Sequence, residues 1–281
     1  IVLLIPLFVL IVLFFKISDS SMNLFFWIKI GKKTEHDHYN GKVVWLVGGS
    51  SGIGEELALR LASFAPLLIL SARRKDMLEE VAMRCQKINE KCQVRILPLD
   101  LLEFHALPAK VAEADHMFGK KVDIIILNAG RSQRAEWTDI DPSVDIACYE
   151  INALGPTHLA RSMLKHRGLH PTSEKRDRLQ FVVVSSVAAL LPAILSASYA
   201  ASKAALNQYF RLLAVEMGEK GVDVSIVCPS LVFAPNNPLH AFTETKDQSN
   251  GEILEKPTRS HMNPERAAEL ILLAGVHKVS E

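Results

Sequence analysis

Tyr199 and Lys203 stand four residues apart in "SYAASKAAL", a run otherwise made of small residues. On a helix that spacing puts both on one face, a turn apart, so a Lys ammonium lies close enough to a Tyr hydroxyl to stabilise its phenolate. Such a pair is a proton donor and acceptor. A free phenol titrates at about 10, too high for a base at neutral pH, and a neighbouring cation favours its charged form. An Ala-rich helix that packs along one edge and dissolves along the other would carry the same two residues, so the rest of the chain has to decide.

A second group of residues suits a phosphate. In "VGGSSGIGEELA" the residues Gly48, Gly52 and Gly54 form G-x-x-x-G-x-G after an apolar run. Glycines allow a tight turn and close backbone approach, and the helix that follows points its amides and positive dipole end at an anion. About 20 residues further on, where an NAD site carries an acidic side chain for the ribose 2′-hydroxyl, "LLILSARRK" has Ala72 followed by Arg73 and Arg74. Arginine there fits a 2′-phosphate, so NADP(H) is the expected cofactor. Arg74 also reads as a solvated helix start.

These groups need a scaffold, and the hydrophobic pattern supplies one. From Lys42 onward "KVVWLV", "LLIL", "VRILPL", "VDIIILN", "QFVVVSS" and "VDVSIVCP" alternate with helical stretches. The helices are expected over about Gly52 to Phe64, from about Lys75, from about Glu103, as a helical stretch from Pro142 to about His166, and around Tyr199. Short continuous apolar strands separated by helices mean βαβ units and a parallel sheet covered on both faces. The expected fold class is α/β, a doubly wound parallel sheet forming a single domain behind an N-terminal hydrophobic anchor. With 281 residues and 49% hydrophobic content there is material for one sizeable core.

Composition excludes other classes. Lys and Arg total 32 against 31 acidic residues, in short runs, so nucleic acid is not an expected partner. Cys85, Cys92, Cys148 and Cys228 have no C-x-x-C spacing and read as free thiols. His36 and His38 in "EHDHYN" lack supporting ligands and read as part of a solvated linker, so no metal site is expected.

The first fifteen residues, "IVLLIPLFVLIVLFF", carry no charged or polar side chain. As a helix they span roughly 22 Å, short of the ~30 Å hydrocarbon core of a bilayer. The sequence does not open on Met and is expected to lack its true start, so that a few more apolar residues complete a spanning helix. A cleaved signal peptide is the rival reading and a buried soluble helix the third. No small-x-small cleavage site follows promptly, and "KISDSSMNLFFWIKIGKK" offers Trp27 and phenylalanines suited to a membrane interface. The expected organisation is an anchor over 1–20, an interfacial linker over 21–40 and a catalytic domain over 41–281.

Taken together, "VGGSSGIG", "LDLLE", "LNAG", "EINALG", "VVVSSVAA" and "SYAASK" resemble, in order and spacing, the short-chain dehydrogenase/reductase family over residues 42 to about 275. The resemblance implies a Rossmann-type fold and hydride transfer to or from a nicotinamide cofactor. Tyr199 is then implied as the proton donor and acceptor, and Lys203 as the residue that lowers its pKa and holds the nicotinamide ribose. Ser186, rather than Ser185, is implied to hydrogen-bond the reacting carbonyl, and Asn152 to hold a water in the proton relay. Asp100, with Leu101 beside it, resembles the residue bound to the adenine amine; Asn128, Ala129 and Gly130 resemble the turn beside the adenosine ribose. Ser50, Ser51 and Ile53 in the glycine-rich turn, and Pro229 and Val232 in "CPSLVFA", complete the implied cofactor set.

The chain departs from the family at Val47, where Thr is frequent, at Leu127, where a second Asn is usual, and at Ser230 and Ala234, where Gly and Thr are usual. These departures leave the proton-transfer groups intact, which separates an active enzyme from the alternative, a nucleotide-binding scaffold without catalysis. The family pattern continues past the helix at 264–274 into a seventh strand, so the sequence is expected to stop before it. The N-terminal apolar run with "LSARR", "LPLDL" and "SQR" after "NAG" resembles the branch around the corticosteroid 11-beta-dehydrogenases. That branch implies an apolar steroid, retinoid or other carbonyl substrate, an endoplasmic reticulum membrane location and a homodimer or tetramer.

Overall fold

Five consecutive apolar residues, Val43–Val47, form a strand (β1) buried along its whole length, because both of its faces are covered. Val43, Trp45 and Val47 enter one core cluster, Val44 and Leu46 the other. The computed structural model describes residues 34–64, 66–172, 174, 177–232, 241–247, 249–250 and 262–278. The anchor expected over 1–20, and Ala234, lie outside these residues. Among the described residues no helix is long and apolar enough to cross a membrane.

A short helix, α1 (Glu35–Tyr39), precedes β1, and α2 (Gly52–Ala62) leads on to β2 (Leu67–Ser71). Then come α3 (Lys75–Ile88), β3 (Gln93–Ile96), α4 (Leu107–His116) and β4 (Ile124–Leu127). The second half holds α5 (Pro142–Tyr149), α6 (Gly155–His166), β5 (Leu179–Val184), α7 (Ala197–Met217) and β6 (Val222–Val227). A small hairpin of β7 (Ala241–Phe242) and β8 (Ser249–Asn250) and a final helix, α8 (Pro264–His277), follow. The main sheet is parallel in the order β3-β2-β1-β4-β5-β6. Helices α4, α6 and α7 cover the face of Trp45 and Phe181; α2, α3 and α8 cover the face of Leu46 and Val182.

Register decides where the site falls. Ser71, Val47, Leu127, Val183 and Ile226 lie in one row across five strands. The residues just beyond that row therefore gather along the carboxyl edge of the sheet. The strand order reverses between β1 and β4, and a crevice opens at such a switch point.

Three expectations need correction. The solvated linker expected to run to residue 40 ends earlier, because α1 is folded onto the domain. Thr34 and Asp37 form a capping box, Glu35 takes two hydrogen bonds of 2.8 Å from Arg60, and the buried Tyr39 hydroxyl donates to Leu272 O at 2.8 Å. His38 meets Gln180 at 2.9 Å rather than solvent. The helix expected from Glu103 begins at Leu107: the Asp100 side chain accepts from Leu102 N at 3.0 Å and holds residues 100–106 in turns. The helical stretch expected from Pro142 to about His166 is two helices joined by a π-turn, Glu150–Leu154. Pro156 has no amide hydrogen for the Asn152 carbonyl four residues before it, so the chain widens and Gly155 N donates to Glu150 O, five back.

Candidate active site

The carboxyl edge of the sheet opens into a cleft of about 610 Å³, within the range of small-molecule sites. Its floor is the turn after β1. Gly48 sits at φ +90°, and a Cβ there would lie 2.5 Å from Ala129 N, so the turn closes against the end of β4 only with glycine. Asn128 fixes the same junction by donating from Nδ2 to Gly48 O at 2.9 Å. Ser50, Ser51, Gly52 and Ile53 carry the chain into α2, whose N-terminal amides face the cleft.

Most residues expected at the cofactor line this one cleft: Gly48, Ser50, Ser51, Gly52, Ile53, Arg73, Arg74, Asp100, Leu101, Asn128, Ala129, Gly130, Tyr199, Lys203 and Val232. Four expected site residues, Gly54, Asn152, Ser186 and Pro229, are not part of its lining. Gly54 is buried one turn into α2. Pro229 accepts from Val187 N at 2.9 Å and so positions the end of β5. Ser186 starts a short 3-10 turn, its hydroxyl accepting from Ala188 N at 3.2 Å.

Asn152 is fully buried and acts as a clamp. Its Oδ1 accepts from Arg131 N at 2.8 Å; its Nδ2 donates to Arg131 O at 2.8 Å and to Ser202 Oγ at 3.0 Å. One amide thereby ties the π-turn to the loop after β4 and to α7. Pro156 leaves the Asn152 main-chain carbonyl without the usual helical donor. Gly130 packs in the same corner: a Cβ there would lie 2.9 Å from Asn152 Oδ1 and 3.2 Å from Lys203 Nζ.

Tyr199 and Lys203 lie on one face of α7, as their spacing predicts, but their electrostatics differ from the expectation. Lys203 Nζ donates to Val184 O at 2.9 Å and stands 6.0 Å from the centroid of the Tyr199 ring. Burial pushes the ammonium down to about 8. Burial likewise pushes the Tyr199 phenol up, against a smaller downward pull from the Ser186 hydroxyl beside it. In this geometry the ammonium is turned towards a carbonyl, and loss of water is the largest influence on the phenol.

Sequence reasoning missed Arg131 and Ser132, which line the cleft; Ser185, set second to Ser186, lines it too, its Oγ buried without a hydrogen bond among the described residues. The signal for Arg131 was present in "NAGRSQR", as a cation directly after the turn beside the cofactor.

The cleft fits a dinucleotide. It joins a glycine turn that no Cβ could enter, a helix N-terminus suited to pyrophosphate, an unsatisfied hydroxyl beside Tyr199 and Lys203, and arginines at its far end. Comparison with known proteins agrees. The family model of short chain dehydrogenase matches residues 42–240. Dehydrogenase/reductase SDR family member 7 of Homo sapiens is 32% identical, the match covering 94% of this chain and 76% of that protein. The 11-beta-hydroxysteroid dehydrogenase-like 2 protein of Arabidopsis thaliana is 33% identical over 72% of this chain and 62% of that one. An alcohol dehydrogenase from the archaeon Thermococcus sibiricus, solved with 5-hydroxy-NADP, has the same fold: TM-score 0.67, 22% identity, 82% of this chain and 88% of that one. Six motifs in order, a doubly wound sheet with its cleft at the switch point and a matching family model make this chain a member of the short-chain dehydrogenase/reductase family, oxidoreductases of carbonyl and alcohol groups.

Proposed function

We propose that this chain is a membrane-anchored, NADP(H)-dependent oxidoreductase that interconverts a carbonyl and an alcohol on an apolar substrate of the steroid, retinoid or xenobiotic class. The observation that carries the reading is one cleft with Arg73 and Arg74 at one end, where Ala72 occupies the usual acidic position, and Tyr199 and Lys203 at the other. The cofactor, when bound, supplies or takes up a hydride. Tyr199 gives its proton to the substrate oxygen in reduction and takes it back in oxidation, while Ser186 donates a hydrogen bond to the carbonyl. Lys203 holds the ribose and keeps a positive charge beside the reacting oxygen, since a group titrating at about 8 is mostly protonated at neutral pH.

Substrate class is read from the rim. Leu190, Leu191, Ile194 and Leu195, between Ser186 and Tyr199, are 49%, 62%, 89% and 41% exposed, an apolar approach to the proton donor. The name of the Arabidopsis relative points the same way. The apolar run over 1–15 and the aromatic-basic stretch after it support a single-pass anchor in the endoplasmic reticulum membrane.

Full-length protein in microsomes tests these readings together. NADPH should bind about ten- to a hundredfold more tightly than NADH, the worth of a charge-assisted contact to phosphate, and Arg73→Ala should erase most of the difference. Equal binding of the two nucleotides by the unmutated protein would overturn the assignment. Release from the membrane by carbonate would remove the anchor from it, and the absence of turnover across steroid and retinoid carbonyls would remove the substrate class.

We further propose a dimer or tetramer built on α5 and α7. Ala201, Ala204, Gln208, Leu212 and Val215 form an exposed stripe along α7, at the spacing of one helix face. Beside it α5 exposes Ile146 and Tyr149. A second copy of the same face covers both. Val215→Glu should then yield monomers by light scattering, and an unmutated protein that is monomeric at micromolar concentration would refute the arrangement.

A further inference from the structure

We propose that Ser202 is a positioning residue for proton transfer: its hydroxyl couples the buried Asn152 amide to the turn of α7 that carries Tyr199 and Lys203. This rests on the assignment of Tyr199 as the proton donor and is independent of the nucleotide and substrate class proposed above.

The residue type is itself informative. The run "SYAASKAAL" is rich in alanine, the best helix former, and a serine within it costs helix propensity. Ser202 is also fully buried, and a buried hydroxyl is unfavourable unless it is hydrogen-bonded. Alanine would suit both the helix and the packing better, so the oxygen must have a use. It stands three residues after Tyr199 and one before Lys203, on the helix face that those two share.

The hydrogen bonds give it one. Ser202 Oγ donates to Tyr199 O at 2.7 Å, which uses its one hydrogen and leaves it an acceptor. It then accepts from Asn152 Nδ2 at 3.0 Å. The other hydrogen of that amide goes to Arg131 O, and the amide oxygen accepts from Arg131 N, both at 2.8 Å. Both amide hydrogens and the hydroxyl hydrogen are therefore used. The line has a direction, from Arg131 N through Asn152 and Ser202 to Tyr199 O, because a flipped amide would set its oxygen against Arg131 O. Loop, π-turn and α7 are joined by this one chain of polar contacts.

The corner beside Lys203 depends on it. A Cβ on Gly130 would lie 2.9 Å from Asn152 Oδ1 and 3.2 Å from Lys203 Nζ, so the amide and the ammonium meet where there is no room for adjustment. Removing the Ser202 hydroxyl leaves a buried Asn152 N–H without an acceptor. The amide then turns, or the π-turn shifts, and the face of Tyr199 and Lys203 loses its hydrogen-bonded tie to the loop after β4. Proton delivery is sensitive to such a change, since a misplacement of ~1 Å costs on the order of a hundredfold in rate.

The test compares detergent-solubilised full-length protein with its Ser202→Ala, Asn152→Ala and doubly substituted forms, using NADPH and phenanthrenequinone as the carbonyl probe. Alanine keeps α7 helical. Ser202→Ala should lower kcat about ten- to a hundredfold, with KM and the NADPH dissociation constant nearly unchanged. The solvent deuterium isotope effect on kcat should rise, because proton delivery becomes the slower step; loss of folded protein alone would leave it where it was. The double variant should lose no more than the larger single loss, since Ser202 acts through the Asn152 amide. Losses that multiply would mean that Ser202 works by another route, and an unchanged kcat in Ser202→Ala that it works by none; either overturns the inference. Both differ from failure of the Tyr199 assignment, in which the unmutated protein reduces no carbonyl or Tyr199→Phe keeps its kcat. Should Asn152→Ala not fold, Ser202→Cys carries the test. A thiol is a weaker partner than a hydroxyl, so an intermediate kcat is expected, and a kcat equal to that of the unmutated protein would overturn the inference.

Discussion

Tyr199→Phe is expected to lower kcat by about 10²- to 10⁴-fold, the range for loss of a positioned proton donor, with nucleotide affinity almost unaffected. The substitution removes one oxygen and keeps the ring. Helix α7, the Lys203 hydrogen bond to Val184 O and the cleft wall do not depend on that hydroxyl. Rapid mixing that follows oxidation of bound NADPH would isolate the chemical step, and binding titration would report the cofactor separately. A kcat within tenfold of the unmutated enzyme would show that another group or water delivers the proton. A nucleotide-binding scaffold would behave differently again, since the unmutated protein would bind NADPH and turn over nothing.

The groups brought together for this step were legible because they are local. The Tyr199–Lys203 spacing, the glycine turn and the arginines after β2 each sit within a few residues of one another, and alternating strands and helices fixed the sheet edge that gathers them. What escaped the sequence depends on contacts made over long separations. Asn152 could be picked out by its motif, yet its side chain holds Arg131 and Ser202, 21 and 50 residues away. The π-turn had a local cause in Pro156, but periodicity alone reads Pro142 to His166 as one helical stretch because apolar spacing persists through the interruption. His38 looked like linker because its partner, Gln180, lies across the fold. The burial of the phenol was hidden for the same reason: spacing reports the distance between two groups and says nothing of the water removed from around them.

Lys203→Met should abolish most turnover and change how stability depends on pH. Lys203 is 2% exposed, and burial lowers its titration from the ordinary 10.5 to about 8. Below pH 8 both folded and unfolded chains hold the proton, and the folded state bears the full cost of a buried ammonium. Between about 8 and 10.5 the unfolded chain binds more protons than the folded one, so stability rises with pH across this window. A drop of that size corresponds to about 3 kcal/mol in all. Met is unbranched and apolar, fills similar space and has no proton to lose. It also removes the donor to Val184 O, a loss of ~1 to 3 kcal/mol that does not vary with pH. The net effect at pH 7 is therefore neutrality or a gain of up to ~2 kcal/mol, and the informative quantity is the slope. Urea unfolding of both proteins at pH 7, 9 and 10.5 cancels the titrations they share. The unmutated protein should gain about 3 kcal/mol on the Met variant between the first and last of these. Parallel curves would mean that Lys203 titrates in the fold as it does in water, and a gain in the opposite direction would mean that an anion in the folded protein stabilises its charge.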